Sequence, residues 1–162
     1  MRHLLILVLY ASVSFSQYDR CDTTIIKKDT AVVCTSFFSS GNVEWINHYL
    51  NKKRHGITTS FYNNGQLSGI MRYEHGCLVD TVEEYHPNGS KKRIAPYKDC
   101  EWDGTTHVWD SSGTLIAEWP YRNGKRIGVH RKWYPDGKVK SIENFDSLSR
   151  SNGLTAEYYR NG

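Results

Sequence analysis

Histidine is the side chain best suited to proton transfer or metal binding near neutral pH, and the chain holds seven. Their spacing does not build such a site. His3 aside, His48, His55, His75, His86, His107 and His130 each fall at a different phase of the repeat described below. His107 and His130 come closest, on equivalent strands of neighbouring units. They are one residue out of phase, so strand alternation points them to opposite faces. The acidic residues follow suit: Glu83, Glu84 and Glu157 flank aromatic positions, but no motif fixes a pair. HExxH, GxSxG and Walker signatures are absent, and the periodic glycines read as turn formers rather than a phosphate loop. The expectation is a non-catalytic chain with no metal site and no cofactor.

The cysteines offer a different chemistry. Cys21, Cys34, Cys77 and Cys100 form an even set without a CxxC, which disfavours zinc. In an oxidising compartment such a set suggests disulfides, with several pairings open.

What positions these residues is a repeat. Glycines following Asn, Asp or Ser stand at Gly41, Gly65, Gly89, Gly113 and Gly137, a step of 24 residues, with Gly162 one step of 25 further on. Four residues before each stands an aromatic: Phe37, Phe61, Tyr85, Trp109, Trp133 and Tyr158. Eight residues after each comes a second aromatic column, Tyr49, Tyr73, Tyr97, Tyr121 and Phe145. A further column is Gly56, Asp80, Gly104, Gly128 and Gly153. Several columns sharing one period mark a tandem array.

The local chemistry makes each unit a β-hairpin. His86-Pro87-Asn88-Gly89 and Tyr134-Pro135-Asp136-Gly137 set φ with Pro, follow it with Asx and end on a left-handed Gly. This spells a type I turn with a Gly bulge. A second turn follows the Tyr column, as in Glu74-His75-Gly76, Lys98-Asp99-Cys100 and Arg122-Asn123-Gly124. Gly or Pro recurs in every unit and breaks up most windows long enough for a helix. Stacked units give an all-β fold, an elongated antiparallel meander of tandem 24-residue hairpins, each stabilised by its neighbours.

Alternation puts Ile57, Thr59 and Phe61 on one face; the aromatic is the constant member, so that face is expected to be buried. In the second strand Leu67, Leu115 and Val139 share parity with Tyr73, Tyr121 and Phe145. Ile46, Ile70, Ile94 and Ile142 have the opposite parity, which requires either a bulge or partial cover on both faces. Pro96 and Pro120 favour local irregularity, since Pro cannot donate to a ladder.

The ends differ from the array. Met1-Arg2-His3 is basic, Leu4 to Ala11 is an unbroken apolar run, and Ser14 and Ser16 are small. Residues 1–16 are expected to be a signal peptide cleaved after Ser16, and the run is too short to span a membrane. Residues 17–33 are expected to cap the array, and residues 34–162 to form the repeats with an incomplete last unit whose Tyr158 and Tyr159 form an exposed edge. Loss of Arg2 takes the formal charge from +4 to +3. So mild a charge on a secreted or cell-envelope protein argues against nucleic acid. Mean hydropathy of -0.62 with 13% aromatics fits a half-solvated aromatic sheet.

The columns carry a family resemblance. Gly56 to Leu67, with Phe61-Tyr62-Asn63-Asn64-Gly65, and Gly128 to Val139, with Trp133-Tyr134-Pro135-Asp136-Gly137, resemble the MORN-repeat variant, the repeat of bacterial proteins named after the YwqK antitoxin. The likeness runs from about Phe37 to Gly162, departing at Asp80 and Asp110. It implies a hairpin array used for binding, with an antitoxin-like or immunity role among the outcomes.

The repeat also sharpens the cysteines. Cys77 and Cys100 are 23 residues apart, one unit less one, so stacked turns could bring them together. Cys21–Cys34 and Cys77–Cys100 are the expected bridges. The expected partner is a protein, with Trp109, Trp133, Tyr134, Tyr158 and Tyr159 as candidate anchors. The alternative is an envelope-associated binder of carbohydrate, a cell-surface polyanion or a lipid headgroup. It would use the basic clusters Lys52-Lys53-Arg54, Lys91-Lys92-Arg93, Arg122 with Lys125-Arg126, and Arg131-Lys132.

Overall fold

The computed structural model describes residues 19–26, 29–153 and 155–159. The expected signal peptide with its cleavage point after Ser16, and Gly162, lie outside them. The strands are β1 (Asp19–Ile26), β2 (Asp29–Phe37), β3 (Val43–Leu50), β4 (Lys53–Arg54), β5 (Gly56–Phe61), β6 (Leu67–Glu74), β7 (Cys77–Tyr85) and β8 (Lys91–Lys98). They continue as β9 (Glu101–Trp102), β10 (Gly104–Trp109), β11 (Leu115–Arg122), β12 (Lys125–Arg126), β13 (Gly128–Trp133), β14 (Val139–Phe145) and β15 (Ala156–Glu157). All pair antiparallel in one sheet of order β1-β2-β3-β5-β6-β7-β8-β10-β11-β13-β14-β15. The short β4, β9 and β12 fold back on β3, β8 and β11. This is the expected meander of hairpins.

The turns explain why these residues form these strands. At the first turn the Tyr62 N–H donates to the Gln66 carbonyl at 2.8 Å and the Gly65 N–H to the Tyr62 carbonyl at 2.8 Å. The pattern recurs at Phe38, His86, Asp110 and Tyr134. Gly65 has φ +81°, the left-handed position that a three-residue hairpin loop demands. The second turns are two-residue loops with both φ values positive: Asn51 and Lys52, His75 and Gly76, Asp99 and Cys100, Asn123 and Gly124. That is the type I′ turn whose twist matches the sheet.

Neighbouring units are tied along both edges. On the first-turn edge the Tyr62 hydroxyl donates to the Tyr85 carbonyl at 2.7 Å, and Tyr134 repeats this to Tyr158 at 3.0 Å. His86 Nε2 lies 2.9 Å from the Trp109 carbonyl in the same way. On the other edge the Gly76 N–H donates to the Arg54 carbonyl, Cys100 to Leu78 and Gly124 to Trp102. Cys77–Cys100 links two adjacent units there, and Cys21–Cys34 joins register partners on β1 and β2. Both expected bridges are present.

Of the two alternatives for the second strand, the register shows a bulge. Ser60 pairs with Gly69 but Phe61 pairs with Leu67, so Ser68 is an extra residue. The same one-residue bulge recurs after Ser36, Glu84, Val108 and Lys132. It breaks parity in the second strand and carries Leu67, Leu115 and Val139 onto the face of the Ile column, away from Tyr73, Tyr121 and Phe145. The first aromatic column keeps its own strand's parity. His107 stacks on Trp109 at 5.8 Å, and the Tyr85 hydroxyl donates to Glu83, both pairs lying two residues apart on one strand.

Burial lies on the opposite face. Cys34, Thr58, Val82, Thr106 and His130 form a buried column with the same period, alongside buried Asn47, Ser60, Ala95 and Ala117. The second aromatic column covers this inner face. The first aromatic column, expected on the buried side, lies on the outer one, where Ile57 is 44% exposed. Small inner residues allow this, because long rings from neighbouring strands close over them.

Asp80 shows why the glycine column tolerates a substitution. It adopts φ +66°, the left-handed region also held by Gly56 and Gly128. Asp visits that region more readily than most side chains.

Candidate functional site

The outer face carries the residues the sequence singled out. Pairing sets Phe61 beside Leu67, Tyr85 beside Lys91, Trp109 beside Leu115 and Trp133 beside Val139. Since these strands are consecutive in the sheet, aromatic and aliphatic side chains form one continuous row with Lys91 as a charged interruption. Trp109 and Trp133 stand two strand spacings apart, roughly 10 Å. Both are half-buried. Tyr134 sits in the first turn and reaches the Tyr158 carbonyl. Tyr158 is 43% and Tyr159 83% exposed, just past the edge strand β15 rather than within it. The structure thus brings Trp109, Trp133, Tyr134 and Tyr158 to one stretch of the first-turn edge, with Tyr159 at its end.

On the inner face Trp102 and His130 join the second aromatic column into one chain, a link that sequence reasoning missed. Tyr97 and Trp102 have ring centroids 6.2 Å apart, Trp102 and Tyr121 4.7 Å, Tyr121 and His130 5.4 Å, and His130 and Phe145 4.8 Å. The Trp102 indole N–H also bonds the Tyr97 hydroxyl. A cross-strand column closes over these rings. Arg54 lies over Tyr73 at 5.2 Å and Arg126 over Phe145 at 5.3 Å, and Trp102 takes the equivalent place on Tyr121. The signal was available, because Arg54, Leu78, Trp102 and Arg126 share the 24-residue phase.

At the C-terminal end of this face a groove of about 210 Å³ is lined by Trp119, Tyr121, Arg126, His130, Lys132, Ser141 and Glu143. His130 forms its floor at 6% exposure, with Nε2 2.9 Å from the Pro120 carbonyl oxygen. That contact makes Nε2 the protonated nitrogen of the neutral ring. Loss of solvation holds its pKa below the ordinary histidine value, with the Arg126 and Lys132 charges acting the same way. The Pro120 contact and Glu143 oppose the shift. Arg126 lies 3.9 Å from Glu143. Lys132 has no ion-pair partner among the described residues. Converging titratable groups are what an acid–base site would need, but the buried proton on Nε2 is held by a backbone carbonyl. Cation, hydroxyl and aromatic wall suit retention of a small ligand better than proton transfer.

The remaining histidines and charges stay dispersed. His107 lies on the outer face, 3.6 Å from Glu118, while His130 lies on the inner one, as alternation requires. His55 and His75 rings stand 5.2 Å apart at the second-turn edge. Among the described residues no group of His, Cys, Asp and Glu could hold a metal ion. The basic clusters are divided by alternation. Arg93 pairs with Glu84, Arg54 and Arg126 cover rings, and Arg131 and Lys132 occupy successive strand positions.

Among the described residues no helix is long and apolar enough to cross a membrane. The two disulfides are bonds that persist in an oxidising environment outside the cytoplasm. No curated protein matches the chain. Residues 54–75, 81–99 and 126–147 match the model of the MORN repeat variant, so this β-hairpin array carries three segments similar to that repeat.

Proposed function

We propose that this chain is a non-catalytic protein-binding module that works outside the cytoplasm after removal of residues 1–16. Its contact surface is the outer first-turn edge, and its anchors are Trp109, Trp133, Tyr134, Tyr158 and Tyr159. The observation that carries this reading is the row of half-buried aromatic and aliphatic side chains on that face, broken once by exposed Lys91. Such a row offers a large apolar area at little entropy cost, because the rings are already held by the sheet. An immunity role is the narrower form, in which the partner is a toxin active in the same compartment. The likeness to a repeat associated with binding supports the broader reading only.

The test is capture from an extracytoplasmic fraction by the chain from residue 17 onward, compared with Trp109→Ala/Trp133→Ala. The expected result is a defined protein held by the parent and lost from the double variant, while both keep the same sheet signal in circular dichroism. Identical capture by both, or capture of nothing beyond background, overturns the proposal. Sedimentation with lipid vesicles or cell-wall material in place of a protein redirects it to the envelope-binding alternative.

A further inference from the structure

We infer that the inner groove floored by His130 is a second binding site, on the opposite face from the proposed protein contact, for a small acidic sugar: a pyranose ring bearing a carboxylate.

A volume of about 210 Å³ falls below the roughly 300–1,000 Å³ of pockets that enclose drug-sized ligands. One ring with its substituents is therefore the scale of the occupant.

The chemistry narrows the class. Lys132 and Ser141 are register partners on β13 and β14, so their side chains stand together on the inner face. An ammonium without an ion-pair partner beside a hydroxyl is a ready docking point for one carboxylate, through a charge-assisted hydrogen bond. Trp119 supplies a flat apolar wall for the face of a ring. Glu143 is the register partner of His130 and is already engaged by Arg126 at 3.9 Å. Its carboxylate repels a second anionic centre but accepts hydrogen bonds from hydroxyl groups. That disfavours inorganic phosphate and favours a ligand whose charge sits at one end and whose hydroxyls sit at the other. An acidic sugar has this layout; a neutral sugar lacks the charge, and a simple anion lacks the ring.

The floor contributes shape rather than charge. Equivalent positions in other units hold Thr58, Val82 and Thr106, whereas His130 wedges between Tyr121 and Phe145. The Trp119, Lys132 and Glu143 combination is likewise specific to this end. Equivalent residues two units earlier are Met71, Glu84 and Ala95 at the corresponding phases, which offer no such pairing of wall and cation.

Ligand-observed NMR titration with glucuronic acid, glucose and inorganic phosphate tests the site on the intact chain. The expected result is saturable binding of glucuronic acid, with glucose and phosphate each at least tenfold weaker. Lys132→Met, at an exposed position, is expected to lower glucuronic acid binding to the level of glucose, and Trp119→Ala to abolish both. Absence of saturation, phosphate binding as tight as glucuronic acid, or unchanged binding in a folded Lys132→Met variant each overturns the inference. Partner capture by the outer face reads a different surface, so failure of either experiment leaves the other interpretable.

Discussion

His130 Nε2 lies 2.9 Å from the Pro120 carbonyl oxygen, an oxygen that also accepts the Ile127 backbone N–H at 3.1 Å. The two bonds tie the buried floor of the groove to the start of β13, so the ionisation of one side chain bears on the β13–β14 hairpin.

The pH dependence follows from the direction of the His130 shift. Burial depresses its folded pKa, so the unfolded chain binds the proton more tightly. The contribution of this residue to stability is full above the unfolded value of about 6.5 and is lost as pH falls through the lower folded value. Thermal unfolding followed by circular dichroism should show a lower midpoint at pH 5 than at pH 7.5. His130→Thr, which restores the residue found at positions 58 and 106, should narrow that difference. An equal difference in both proteins would remove His130 from the account.

Cys100 occupies the second position of a type I′ turn at φ +71° while bonded to Cys77. The bridge spans a separation of 23 residues, for which constraint of the unfolded chain contributes about 3 kcal/mol. Cys77→Ala/Cys100→Ala should lose about that much in urea unfolding. Cys77→Ala/Cys100→Gly should recover about 1 kcal/mol of it, since Asp-Gly suits this turn and Asp-Ala does not. Equal stability of the two variants would show that the turn conformation carries no strain at Cys100.

Two glycines separate backbone strain from crowding. Gly113 has φ +88° and open space around a would-be Cβ. Gly104 has φ +123°, and the same atom would meet Pro96 Cβ and Cγ at 3.0 Å. Gly113→Ala should cost about 1 kcal/mol through its backbone alone. Gly104→Ala should cost more than about 2 kcal/mol, because Pro96 is rigid and sits on the adjacent strand β8. Chemical denaturation of both variants checks the order.

The inter-unit hydroxyl is the smallest effect worth measuring. Tyr62→Phe removes the donor to the Tyr85 carbonyl and should cost about 1 kcal/mol. Tyr134→Phe acts on a more exposed acceptor and should cost less. The reverse order would place the weight of the inter-unit contact at the C-terminal end.

How much of this molecule is legible in its sequence depends on the range of the interaction. Gly65 with its left-handed φ, and Asn123-Gly124 in a two-residue loop, are local requirements, so hairpin and period can be read directly. The Cys77–Cys100 pairing follows once the period is known, because the period itself measures distance between units. The partners of the outer aromatic column cannot be read the same way. The extra residues Ser68 and Lys92 bear no distinguishing chemistry, yet each bulge reverses the parity of what precedes it in its strand. The buried face was expected on the wrong side. Phe61 is larger and more apolar than Thr58, but in a single sheet burial depends on which neighbours close over a position, and Thr58 lies under the longer side chains of adjacent strands.

The sequence alone therefore determined the repeat and the first turn type, because each is set by backbone sterics within a few residues or by the recurrence of one unit. The disulfide pairs stood as an expectation that the structure bears out. Only the tertiary structure decided that Phe61, Tyr85, Trp109 and Trp133 lie outward and that Trp119, Lys132 and Glu143 meet over His130. Those relations arise between strands, where the register fixed by the bulges selects which side chains share a face.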